Sequence, residues 1–146
     1  MMPEDAVGTS ESGEASGGAS PAIRAAAAGY LVLGLGFGIG SVVTLNHLAR
    51  TGELPMTPWG FRSMSGPFEE LGPDTFTALG WALVGVCVLE VVAGAWLWQG
   101  RRRGARLGLA TTPLALGLGA GFALPFLLVG APFSAALVLA GRRSLR

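Results

Sequence analysis

At 146 residues, 51% hydrophobic and 13% charged, the chain holds about half the roughly 25% charge usual in soluble domains. Its apolar residues gather in runs, which excludes an ordinary soluble core and points to a bilayer. A net charge of +1 carries no nucleic-acid signature, and one Cys and one His exclude an internal disulfide, CxxC redox chemistry and a metal site of the usual kind.

Residues 1–22 are Ser, Gly, Ala, Glu and Asp with almost no large apolar side chain. They cannot bury enough surface to offset their ordering entropy, so a disordered tail is expected there. The acidic start lacks the basic n-region of a signal peptide. The membrane domain is then 23–146.

The first span covers about 25–47, AAAAGYLVLGLGFGIGSVVTLNH. Its GLGFGIG has neither the GxGxxG spacing nor the strand–turn–helix setting of a nucleotide loop. Gly34 with Gly38, and Gly36 with Gly40, instead form GxxxG pairs, as does Gly117 with Gly121. Such pairs pack helices within a bundle or between two copies.

A long loop follows, TGELPMTPWGFRSMSGPFEELG. Its length marks it as functional or disordered, and Leu54, Met56, Trp59, Phe61, Met64 and Phe68 argue against disorder. It is expected to lie on the outer mouth of the bundle. Asn46, His47 and Arg50, with Trp59 and Arg62, would line that mouth. There they either anchor the interface through aromatics or receive the head group of a lipid or quinone.

The second span, about 76–98, carries Glu90 in the middle of an apolar run. A carboxylate at bilayer depth costs several kcal/mol unless protonated, paired or facing water. At ~1.5 Å per residue it lies roughly 12 Å from Trp98, too far for a Glu to snorkel. Gly80, Cys87 and Gly94 fall seven apart with Glu90 on the same stripe, so Glu90 faces inward.

After RRRGAR comes an apolar stretch from Leu107 to Ala140, too long for one span. A break at Gly121–Pro125 gives spans at about 106–122 and 124–141, with Pro125 in the first turn of the last. Arg24, Arg101, Arg102, Arg103, Arg106, Arg142, Arg143 and Arg146 then share one side. By the positive-inside rule both termini and RRRGAR are cytoplasmic and the long loop faces outward. The expected fold is an all-α integral membrane four-helix bundle.

Tyr30, Thr111, Thr112 and Ser134 fall within about 8–10 Å of the cytoplasmic ends of their spans, in one layer with Glu90. They are expected to satisfy Glu90, with the carbonyls of Leu109 and Leu128, freed by Pro113 and Pro132, as further acceptors. Glu90 is then either a neutral packing residue or a ligand or proton site.

Residues 66–110, with Glu90 and Gly94 in E-x-x-x-G, a Leu/Trp-rich span end, a short basic turn and a small-residue third span, resemble the DoxX-like family of small four-span membrane proteins. The resemblance implies a four-helix bundle in the bacterial cytoplasmic (inner) membrane and association with quinone-linked or redox complexes. Three functions stand open: an accessory or structural subunit, a small proton-coupled transporter using Glu90, and a lipid- or quinone-binding enzyme at the outer mouth. No resident cofactor is expected, quinone aside. The partners expected are the lipid bilayer and either a membrane protein or a second copy, with no nucleic acid.

Overall fold

The computed structural model describes residues 19–145. The expected tail lies outside the described residues up to residue 18; at Pro21 the chain is already helical. Four helices account for most of it: α1 (Pro21–Thr51), α2 (Pro73–Trp98), α3 (Arg102–Gly121) and α4 (Pro125–Gly141).

Each boundary has a local cause. Ser20 caps α1, its Oγ accepting from the Ile23 amide at 3.4 Å, with Pro21 in the first turn. Gly52 ends α1 at φ 73, its N–H donating to the Leu48 carbonyl at 2.8 Å. Prolines open α2 and α4. The stretch 107–140 is two helices, because residues 122–124 form a tight turn ahead of Pro125, with Ala123 at φ 51.

The helices run up-down-up-down in a closed ring, α1 against α2 and α4, and α3 against α2 and α4. Glycines set the closest approaches. A Cβ on Gly34 would meet the Cys87 carbonyl at 2.7 Å, and one on Gly94 the Ala27 carbonyl at 2.9 Å. One on Gly104 would lie 2.6 Å from the Leu97 nitrogen. Gly36, Gly40 and Gly117 face open space instead. Of the GxxxG pairs, Gly34/Gly38 is thus an internal contact of the bundle and Gly36/Gly40 an outward one.

Two apolar clusters fill the core. One, at the loop end, joins Met64, Phe76, Leu83, Val86, Cys87, Ala115, Phe122, Leu127 and Ala131. The other, at the arginine end, joins Ile23, Ala26, Ala27, Tyr30, Leu97, Ala105, Val138 and Leu145. Along α2, α3 and α4 the buried polar residues Glu90, Thr111, Thr112 and Ser134 fall between the two.

The outside is as apolar as the inside. Val32, Leu35, Ile39, Val43, Val88, Phe126, Val129 and Phe133 are exposed, far more than a water-facing surface carries. α1, α2 and α4 with its closing 3-10 turn are long and apolar enough to cross a membrane. α3 is not, on those grounds. Its leucines alternate with Gly and Thr, and three of the arginines expected in a loop are helical: Arg102, Arg103 and Arg106 lie in its first turns, with Arg101 just ahead of them.

The long connection between α1 and α2 is ordered. Residues 55–63 form a small hairpin: the Ser63 amide donates to the Pro55 carbonyl at 2.9 Å and the Thr57 amide to the Phe61 carbonyl at 2.7 Å. Residues 63–68 then fold over the α3–α4 turn. Met64 enters the core at φ 60. Gly66 lies against the backbone of 121–123, and Phe68 meets Phe122 edge-to-face at 5.1 Å. A 3-10 turn, Pro67–Leu71, leads into α2.

Candidate functional site

Glu90 is fully buried, on the α2 face that also buries Leu83, Cys87, Ala93, Gly94 and Leu97. Neither carboxyl oxygen has a hydrogen-bond partner. It is the one side chain among the described residues with buried, unpartnered oxygens.

Tyr30, Thr111, Thr112 and Ser134 are all buried in the same region, yet the structure does not bond any of them to Glu90. Three of the four hydroxyls donate to other groups. Thr111 and Thr112 both donate to the Gly108 carbonyl, at 3.0 and 2.8 Å. A hydroxyl has one proton, so the Tyr30–Thr112 contact at 3.3 Å must be donated by Tyr30. Those three protons go to other acceptors, and Ser134 makes no bond to Glu90 either. The Leu109 and Leu128 carbonyls do not partner Glu90 either. Ser134 sits against Gly29 at the α1–α4 contact.

Tyr30 reaches across the ring from α1 to α3. It can do so because Gly108 leaves a slot: a Cβ there would be 2.8 Å from the Tyr30 ring. That slot was not visible in the sequence, although the small-residue run LGLATT is its signal. Tyr30→Phe removes one long hydrogen bond and keeps the ring. It should cost about 0.6 kcal/mol, the average for interhelical hydrogen bonds in membrane proteins, measured by titrating detergent-solubilised protein with a denaturing detergent.

The expected outer-mouth residues are not gathered into one site. Asn46, His47, Arg50, Trp59 and Arg62 are all exposed. The Asn46 amide turns back to the Val42 carbonyl at 2.9 Å. Arg62 pairs with Glu69 at 2.9 Å and lines a cleft of about 200 Å³ with Leu48, Glu53, Leu54 and Phe76, which the other four do not enter. Unforeseen from the sequence is a bond from α1 into the loop, Thr44 to Ser63 at 3.0 Å, with Thr44 buried.

A larger groove, about 390 Å³, runs between α1 and α2. Gly34, Gly38, Ile39, Val84, Cys87 and Val91 line it, with almost no polar surface. It faces the exposed apolar side of the bundle. Cys87 lies three residues before Glu90 on α2, but Glu90 itself does not line the groove. No group of three or more His, Cys, Asp or Glu that could hold a metal occurs among the described residues.

No family model, curated protein or solved structure matches this chain. The helices themselves show an all-α four-helix bundle, multi-pass in a membrane by their hydropathy.

Proposed function

We propose that the chain is a four-span membrane protein with both termini cytoplasmic, acting as an accessory or structural subunit of a membrane complex. The observation that carries this reading is the closure of the core around Glu90. The carboxyl is fully buried, and it lines neither the groove between α1 and α2 nor the cleft at Arg62. A transport site needs a path to water.

The four-span topology draws support from two features. α3 is held at both ends by turns of three residues and packs between α2 and α4, so it runs alongside neighbours that cross. Its small residues suit close helix contact better than lipid contact. The arginines also converge: Arg102 Nε donates to the Leu145 carbonyl at 3.1 Å, and the Ser20 amide to Ser144 Oγ at 3.3 Å. These bonds bring the starts of α1 and α3 and the end of α4 to one end, which the positive-inside rule makes cytoplasmic. A redox-linked complex in the bacterial cytoplasmic membrane rests on the DoxX-like resemblance of residues 66–110 alone.

A second reading, a proton-coupled transporter, is favoured by one observation: the Glu90 oxygens have no partner, and intramembrane acids of that kind mark proton or ion paths. The carboxyl infrared band of the protein in lipid separates the two, with Glu90→Gln to assign it. A sealed structural Glu90 gives a band that ignores bulk pH and exchanges slowly in D₂O. A band that titrates and exchanges at once requires water access and replaces the accessory reading with transport.

A further inference from the structure

The hairpin at 55–63 carries an apolar tip that the bundle does not use. Met56, Trp59 and Phe61 are 70%, 81% and 74% exposed. From Leu54 to Phe61 there is no charged residue. The hairpin is internally bonded and does not need those side chains for its own packing: the Phe61 amide donates to Thr57 Oγ1 at 3.1 Å and Thr57 Oγ1 to the Phe61 carbonyl at 2.8 Å. Three large apolar groups held out by a rigid turn require a non-aqueous neighbour.

The level of the hairpin on the bundle decides which neighbour. Ser63, at its base, bonds Thr44, seven residues before the end of α1, or about 10 Å down the helix. Leu45, beside Thr44, packs on Gly80, and the next residue of α2 is Trp81, half exposed. The base of the hairpin thus stands level with an outward-facing tryptophan on a membrane-crossing helix. Tryptophans collect at the membrane–water interface. Met56 and Phe61 lie one and two residues from the Pro55–Ser63 pair, within about 7 Å along the chain. Arg50, Glu53 and the Arg62–Glu69 pair supply charged groups around the same loop, as the head-group region accommodates.

We infer that the hairpin is a membrane-surface anchor, with Met56, Trp59 and Phe61 inserted into the lipid interface at the loop end of the bundle. Its occupant is the lipid surface itself. The inference rests on the reading of the bundle as membrane-embedded, and the test keeps the two apart.

The full chain is placed in lipid nanodiscs, where both faces are open to solvent, with Trp81→Phe, Trp96→Phe and Trp98→Phe leaving Trp59 as the sole tryptophan. A parallel difference spectrum between the unmodified chain and Trp59→Phe needs only one conservative change and covers a misfolded triple variant. Adding Val129→Trp to Trp59→Phe in the triple background reports an exposed α4 position. Lipids brominated near the head group should quench most Trp59 emission, and acrylamide little. If acrylamide quenches Trp59 and brominated lipid does not, while the position-129 reporter is quenched by lipid, the anchor is wrong and the tip faces water or a protein partner. If lipid quenches neither, the membrane reading itself falls.

Discussion

Glu90→Met should make the bundle more stable, by about 1–3 kcal/mol, the usual penalty of a buried polar group left unsatisfied. The carboxyl is fully buried with both oxygens unpartnered, and the Thr111, Thr112 and Tyr30 hydroxyls donate to Gly108 and Thr112 instead. Methionine fills a comparable space with a flexible, polarizable chain and adds nothing to satisfy. Denaturing-detergent titration of the variant against the parent chain measures the difference. A loss of about 3–5 kcal/mol instead would show that Glu90 has a partner in the membrane, since that is the cost of breaking a buried charged pair from one side.

Gly34→Leu should cost about 1–3 kcal/mol or more, the range for overpacking a tight core. Even a methyl at this position would meet the Cys87 carbonyl at 2.7 Å, Val91 Cγ2 at 2.8 Å and the Val91 nitrogen at 3.1 Å. Two of the three contacts are backbone, so α1 and α2 must separate for the side chain to fit. At Gly36, two residues on, an added Cβ meets nothing within 4 Å, so Gly36→Leu should leave the monomer as stable as before. The pair also tests association between copies. A second copy seated on the open Gly36/Gly40 face would be displaced by Gly36→Leu, which crosslinking in nanodiscs or detergent would register as loss of dimer.

The number of helices was legible in the sequence because the causes are local. Pro125 and the Gly121 region divide a stretch too long for one span, and prolines and glycines mark the other ends. That α3 falls short of a membrane span by composition was legible too, in its Arg, Gly and Thr, but the split by length hid it. The arginines of RRRGAR read as a loop because charge suggests solvent; Arg102, Arg103 and Arg106 are helical and only Arg101 stays outside, with Gly104 letting α3 start hard against α2.

At the candidate site, the polar residues stood out as exceptions in apolar runs, and depth counting grouped them. The bonds among them were not legible. They depend on how far Tyr30 reaches, on the absence of a side chain at Gly108, and on which carbonyl each threonine finds. Those are properties of the packed ring. The outer-mouth set failed to assemble for a related reason: the loop spends Ser63, Met64 and Phe68 on the bundle and turns its remaining aromatics outward.

The helices are unequal in length: 31 and 26 residues in α1 and α2, against 20 and 17 in α3 and α4. At 1.5 Å per residue α4 extends about 25 Å, and only with its closing 3-10 turn, Arg142–Ser144, does it reach the ~30 Å hydrocarbon thickness of an average bilayer. α1 and α2 exceed it. Lipid around this protein would therefore meet no length to spare on the α4 flank and a surplus along α1 and α2. Mismatch costs fractions of a kcal/mol per Å, enough to draw the α4 flank away from thick regions of membrane or toward other proteins with equally short spans.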